Sequence, residues 1–71
     1  MTPSDDFRFP RPKRLTKDPR LGKPAKASDG FTGIVESILR YPDGFEHIQI
    51  RNPQTGIGRG GLTPDQVTID L

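Results

Sequence analysis

The chain has 71 residues, of which 30% are hydrophobic, and its formal net charge is +2, so it forms one small domain at most. No apolar run approaches the roughly 18–20 residues of a membrane span and none follows Met1, so we expect neither a membrane segment nor a secretory signal. Cysteine is absent and histidine occurs once, which excludes disulfides, thiolate nucleophiles and Cys/His zinc sites. We therefore expect a cytoplasmic or virion protein, not a secreted one, that uses no metal or cofactor.

Charge and proline divide the chain into two halves. Residues 1–28 carry eight Lys/Arg against three Asp, a balance of +5, and five of the eight prolines. Because each proline fixes φ and removes a backbone donor, this half predicts a long extended basic arm that is disordered when free. Residues 29–71 carry three Arg against six Asp/Glu, a balance of −3, and predict a separate folded domain.

The arm holds the candidate partner-binding residues, which are aromatic, basic and aliphatic side chains. These are Phe7, Arg8, Phe9, Arg11, Lys13, Arg14, Leu15 and Leu21. Phenylalanines are costly to expose on an extended arm, so we expect Phe7 and Phe9 to enter apolar pockets of a protein while the cations meet an acidic surface. Stacking on bases with phosphate pairing is the alternative interpretation, and an inert solvated tail is a third.

The strand signals begin after the arm. Residues 31–41 are rich in β-branched and aromatic side chains and predict a first strand. Their apolar alternation is irregular, which indicates either a bulge near Gly33 or Ser37 or a strand covered on both faces. Proline second and glycine last in residues 41–44 predict a β-turn.

The second half of this domain continues the strand pattern. Residues 45–51 predict a second strand with Ile48 and Ile50 on one face. A turn at residues 52–56 precedes a glycine-rich third strand at residues 57–62.

The carboxyl-terminal residues predict one helical turn and a last strand. Thr63 is suited to the N-cap and Pro64 to the first helical position of residues 63–66. Residues 67–71 alternate as a strand. This ending resembles that of small SH3-like barrels, so we expect a mainly β protein: a small SH3-like barrel of about four short strands plus one helical turn. The resemblance is architectural, and such a fold implies no function.

The predicted core is small for a domain without disulfides or metals. It comprises Val35, Ile38, Leu39, Ile48, Ile50, Ile57, Leu62, Val67 and Ile69, with Phe31, Ile34, Tyr41 and Phe45 partly buried. Domains of this size commonly need association, so we expect a homo-oligomer, a multi-copy protein or a bound partner.

Two further features have plainer interpretations than catalysis. The glycines around Arg59 lack the following helix and the ribose-binding acid of a dinucleotide site, so we interpret them as a bent strand and Arg59 as a partner contact or an exposed residue. His47 stands beside Glu46 without a Ser or Cys nucleophile placed by the sequence. We expect no catalytic residues and no enzyme.

The functional prediction is a non-enzymatic structural or assembly protein, such as a virion decoration or joining protein or a peripheral subunit of a large complex, anchored through its arm on protein subunits. The alternative is a nucleic-acid-binding module, ribosome- or DNA-associated, that places the arm on phosphates. The −3 balance of residues 29–71 disfavours this alternative because it repels phosphate. A small inhibitor that blocks an enzyme with its arm is a third hypothesis.

Overall fold

The computed structural model describes residues 11–71, and this part of the chain is mainly β, as predicted. It forms one antiparallel sheet of six strands. The strands are β1 Lys13–Arg14, β2 Pro24–Ala27, β3 Thr32–Arg40, β4 Glu46–Arg51, β5 Gly58–Leu62 and β6 Val67–Ile69. A 3₁₀ turn, Pro64–Gln66, precedes β6, as the sequence predicts. Within residues 11–71, no helix is long and apolar enough to cross a membrane.

The strand order is β5-β4-β3-β2-β6, and β1 pairs with the carboxyl-terminal end of β3. β3 is long enough to serve two partners on one side, because its first residues pair with β2 and its last residues pair with β1. β5 and β6 are the two ends of this order, so the sheet is open. The predicted SH3-like barrel is therefore not confirmed.

A β-bulge explains the irregular alternation of β3. Val35 pairs with Ile50 and Ser37 pairs with Gln49, so Glu36 is the extra residue. The bulge rotates the strand by one residue and turns both Val35 and Ile38 inward, although they are three positions apart. Of the two explanations that the sequence offers, the bulge near Ser37 is confirmed.

The predicted boundary after residue 28 does not coincide with any edge of the sheet. β2 is an interior strand, hydrogen-bonded to β3 on one side and to β6 on the other. Ala25 and Ala27 are buried in the core, whereas Pro24 and Lys26 are exposed. Pro24 is tolerated because it opens the strand, where its missing N–H costs least. The second part of the predicted arm is thus part of the folded domain.

Three isoleucines at the centre of the sheet form the most buried part of the core. Ile38, Ile48 and Ile50 have no exposed surface, and Val35, Val67 and the two alanines of β2 complete the cluster. Leu62 and Ile69 pack against it as partly buried residues.

Two expected core members lie outside it. Ile57, predicted to be core, is 58% exposed because it precedes β5 rather than lying in it. Leu39, also predicted to be core, is only partly buried and lies outside the buried cluster. Ile34, predicted to be partly buried, is 38% exposed on the outer side of β3.

Two glycine turns have the expected form. Gly44 donates its N–H to the Tyr41 carbonyl (2.9 Å), and Gly56 donates to the Asn52 carbonyl (2.8 Å). Both glycines have φ in the left-handed region, +90° and +75°, where a side chain is strained. The first turn joins β3 to β4 and places the aromatic residues described below.

Candidate functional site

A cleft lined by cations lies beside β1. It has a volume of about 330 Å³. Its lining residues are Lys13, Arg14, Leu15, Thr16, Lys17, Asp18, Pro19 and Arg40. We call it the basic cleft. Lys13 lies directly opposite Arg40 across the β1–β3 pair, an arrangement of like charges that destabilises a sheet unless counter-charges are near.

The cations of the basic cleft differ in how far they are already neutralised. Arg40 donates to a Glu46 oxygen at 2.7 Å. Lys13 and Lys17 form no ion pair within residues 11–71. Arg14 is also outside ion-pair distance of every described carboxylate, although its charge helps to lower the pKa of Glu36. Three of the four cations therefore remain available to an anionic ligand.

A partly buried network of ion pairs lies next to the basic cleft. The Arg20 guanidinium donates to both oxygens of Asp18 at 2.8 Å and to Glu46 at 2.9 Å. These hydrogen bonds from Arg20 lower the pKa of Asp18 to about 2. They also lower the pKa of Glu46, with a further contribution from Arg40. Asp18 lines the cleft, but its charge is already matched by Arg20.

Arg20→Met is expected to reduce the free energy of unfolding by about 1 kcal/mol at neutral pH, because it leaves two partly buried carboxylates short of a partner. The folded pKa of Asp18 is below its unfolded value, so this stabilisation is present above about pH 4 and is lost as the pH falls towards 2. Urea unfolding of both proteins at pH 7 and pH 2 measures it. A penalty of equal size at both pH values would show that Arg20 acts by packing rather than by charge.

Two other carboxylates are also paired with arginines. Glu36 accepts from Arg51 at 2.6 Å, which lowers the pKa of Glu36. Asp29 pairs with Arg59. The hydrogen bond that Asp29 accepts from the Phe31 N–H lowers its pKa, and the Arg59 contact lowers it further. Many of the acids that give residues 29–71 their negative balance are therefore neutralised locally.

A cluster of three rings lies where β3 turns into β4. His47 contacts Tyr41 and Phe45 edge-on, with ring centroids 5.2 and 5.0 Å apart and interplanar angles of 87° and 83°. The His47 Nδ1 and the Tyr41 hydroxyl are 3.2 Å apart, within hydrogen-bond distance. Phe45 is 47% exposed. We call these three residues the aromatic cluster; with Pro42 and Asp43 it lines a cavity of about 330 Å³.

The basic cleft and the aromatic cluster adjoin one another. Arg14 is paired with Leu39, and Leu39 is paired with His47, so these three residues form one row across β1, β3 and β4. Directly paired residues of antiparallel strands point to the same face of a sheet. Arg40 of the cleft also precedes Tyr41 of the cluster in the chain. Arg14 of the cleft therefore lies on the same face of the sheet as His47 of the aromatic cluster.

The predicted partner-binding residues have different positions. Phe7, Arg8 and Phe9 lie outside the described residues. Arg11 is exposed just before β1, and Lys13 and Arg14 line the basic cleft.

Leu15 and Leu21, the aliphatic members of the predicted set, are largely engaged within their own chain. Both are partly buried against the core. Backbone bonds hold this segment to β3: Leu15 donates to the Ile38 carbonyl and Gly22 to the Val35 carbonyl, each at 2.9 Å. A partner contact by either leucine stays a prediction, and it would use only the surface that the core leaves open.

Arg59 is engaged within the chain. Its guanidinium pairs with Asp29 and lies over the Phe31 ring, 4.8 Å from the centroid. A partner contact by Arg59 stays a prediction, and it would have to share the residue with these two neighbours.

The aromatic cluster was not among the predicted site residues. Two aromatic residues flanking the Pro-Asp-Gly turn, and a third ring two positions after the second, were the signal that could have revealed it. No group of three or more His, Cys, Asp or Glu in residues 11–71 could hold a metal ion. The arrangement is suited to binding an anionic ligand with flat, stackable groups.

Comparison with known proteins identified no relative of this chain. No family model, no curated protein and no solved structure matches the chain. The functional interpretation therefore rests on the basic cleft and the aromatic cluster.

Proposed function

We propose that the protein is a non-enzymatic nucleic-acid-binding module whose basic cleft holds phosphates of the backbone. The observation that carries this proposal is the set of cations in the cleft that have no carboxylate partner among the described residues, Lys13, Arg14 and Lys17. Phosphate contacts by Lys and Arg supply most of the affinity of such modules. The basic residues Arg8 and Arg11 lie a few positions before the cleft in the chain and would extend the contact.

The negative balance that disfavours nucleic acid applies only to a folded domain made of residues 29–71. With β1 and β2 in the sheet, residues 11–71 hold ten Lys/Arg and seven Asp/Glu, a balance of +3. Four of these acids are paired with arginines. The excess positive charge is therefore concentrated in residues 11–26, and this supports an anionic polymer as the ligand.

The test is binding of an oligothymidylate of about 16 nucleotides, measured by fluorescence anisotropy at several salt concentrations. Lys13→Gln with Lys17→Gln is expected to weaken binding about tenfold and to reduce the slope of log K against log salt by about 1.4, or about 0.7 for each phosphate of a single strand that is no longer neutralised. The matched control is Lys23→Gln with Lys26→Gln, which removes the same charge outside the cleft.

The control pair makes the result decisive. An unchanged slope in the control and a reduced slope in the cleft variant would support the cleft as the phosphate site. Equal reductions in both variants would mean diffuse attraction without a site. Absence of binding by the unaltered chain at about 50 mM salt would overturn the proposal.

The second candidate is the assembly protein predicted from the sequence, in the cytoplasm or in a virion. It is favoured by the open sheet, since β5 and β6 each leave an edge without a partner strand in the described chain. Free edges pair readily with another copy or with a neighbouring subunit. Phe7 and Phe9 would then be the anchors. A defined oligomer in sedimentation equilibrium, together with absence of oligonucleotide binding, would favour this candidate.

The finer proposal for the fold is that residues 24–69 follow the plan of a small SH3-like barrel in an open form. Two features support it. The 3₁₀ turn immediately precedes the last strand, and that strand returns to pair with β2, the first strand of this stretch. The fold by itself says nothing about the ligand.

A further inference from the structure

We propose that the aromatic cluster stacks an unpaired base, so that the protein binds single-stranded nucleic acid in preference to a duplex. This inference rests on the proposed function, because it names the form of nucleic acid that the same surface takes. The cleft would hold the backbone of the strand, and Phe45 would offer its open face to a base of that strand.

The cluster has the form of a supported stacking platform. His47 packs edge-on against both other rings, and its Nδ1 lies 3.2 Å from the Tyr41 hydroxyl. The Phe45 N–H donates to the Asp43 carboxylate at 3.0 Å, which fixes the start of β4. Little ordering is therefore needed when a base arrives, while 47% of the surface of Phe45 remains exposed to receive it.

The chemistry of this cavity favours a base over a phosphate. Its lining consists of the three rings, Pro42 and Asp43. The Asp43 carboxylate would repel a phosphate, whereas the flat apolar walls favour an uncharged aromatic ring. Every base has such a face, so stacking here would be tolerant of sequence.

The distance from cleft to cluster suits a single strand. Arg14 and His47 are two strands apart in one row, or about 10 Å at the usual spacing of neighbouring strands. Stacked nucleotides advance about 3.4 Å each, so about three nucleotides span the row. In a duplex the bases are stacked on each other and present only their edges in the grooves, so the ring of Phe45 would have no base face to meet.

The experiment compares the oligothymidylate with a duplex of equal length, for the unaltered chain and for Phe45→Ala. We expect tighter binding of the single strand, and a decrease of about tenfold for Phe45→Ala on that strand. The salt slope should stay unchanged, because every cation of the cleft is retained. Ile57→Ala is the control, since Ile57 is also more than half exposed and lies outside the cluster; it should bind normally.

A second variant gives a direct signal. The chain has no tryptophan, so Phe45→Trp introduces a single indole at the proposed stacking position. The fluorescence of this indole should be quenched on addition of the oligothymidylate. The affinity of the Phe45→Trp variant for the oligothymidylate should match or exceed that of the unaltered chain. Preserved binding shows that an aromatic ring, rather than phenylalanine as such, is needed there.

The outcomes separate this inference from the proposed function. If Phe45→Ala binds the single strand normally, or the duplex binds as tightly, the stacking proposal is overturned while the salt slope of the cleft variant still tests the cleft. If neither nucleic acid binds the unaltered chain, both proposals fail together. Thermal unfolding of each variant distinguishes weaker binding from a failure to fold.

Discussion

Ile50→Ala is expected to remove a large part of the free energy of unfolding of the protein. Ile50 has no exposed surface and lies in the middle of β4, opposite Val35 on one side and Arg59 on the other. Truncation of a buried isoleucine to alanine costs about 2–5 kcal/mol. A chain of this length has a free energy of unfolding of about 4–10 kcal/mol by the usual 0.05–0.15 kcal/mol per residue, so the substitution removes a large part of it.

The control for this prediction is the same substitution at an exposed position. Ile57→Ala removes the same atoms from a side chain that is 58% exposed, and we expect a change within about 0.5 kcal/mol. Circular dichroism during urea unfolding measures both variants. An Ile50→Ala variant with an unchanged midpoint would show that the three fully buried isoleucines do not form the core that stabilises the sheet.

Ile50 and Ile57 also show when a sequence pattern is sufficient to predict the burial of a side chain. The alternation around Ile48 and Ile50 predicts a half-buried strand, and β4 has that form. Ile57 is also an isoleucine, but it stands beside a glycine-rich segment. The prediction that Ile57 is buried depended on where the third strand begins. β5 begins one residue later, at Gly58. Glycines carry no side chain to define a face, so the pattern could not settle that boundary.

The composition of the amino-terminal residues did not indicate that they form part of the sheet. Proline and lysine alternate with alanine in β2, and such residues resemble an unstructured basic segment. The strand forms because its two neighbours, β3 and β6, supply hydrogen bonds on both sides and leave room in the core only for small side chains. That information is carried by distant residues, so a local pattern could not reveal it.

The same limitation applies to the candidate site. Clustered cations before residue 18 were recognisable in the sequence, and Lys13 and Arg14 do line the cleft. The pairing of Asp18 and Glu46 with Arg20 was not, because Glu46 is distant in sequence and the contact depends on the fold. Counting charges over residues 29–71 alone gives −3, whereas residues 11–71, which include all six strands, carry +3.

Gly33→Ala is expected to destabilise the sheet by about 1–3 kcal/mol, as overpacking in a rigid interior does. A Cβ atom at position 33 would lie 2.7 Å from the backbone carbon and oxygen of Arg51 and 3.1 Å from the Asn52 nitrogen. These are backbone atoms at the end of β4, next to the Ile34–Arg51 pair, so no flexible side chain can move aside. The strain must be relieved by shifting β3 against β4.

Gly60→Ala provides the matched control on β5. Its added Cβ would meet nothing closer than the Gln49 side chain at 3.9 Å, an ordinary contact, and Gly60 has no positive φ. We expect equal or slightly higher stability there, because alanine reduces the entropy of the unfolded chain. Urea unfolding should give a lower midpoint with an unchanged m value for Gly33→Ala alone. Equal midpoints for the two variants would mean that β3 and β4 can move apart near Arg51 with almost no loss of stability. The close approach of the two strands at Gly33 would then not contribute to the pairing register of β3 and β4 beside the bulge.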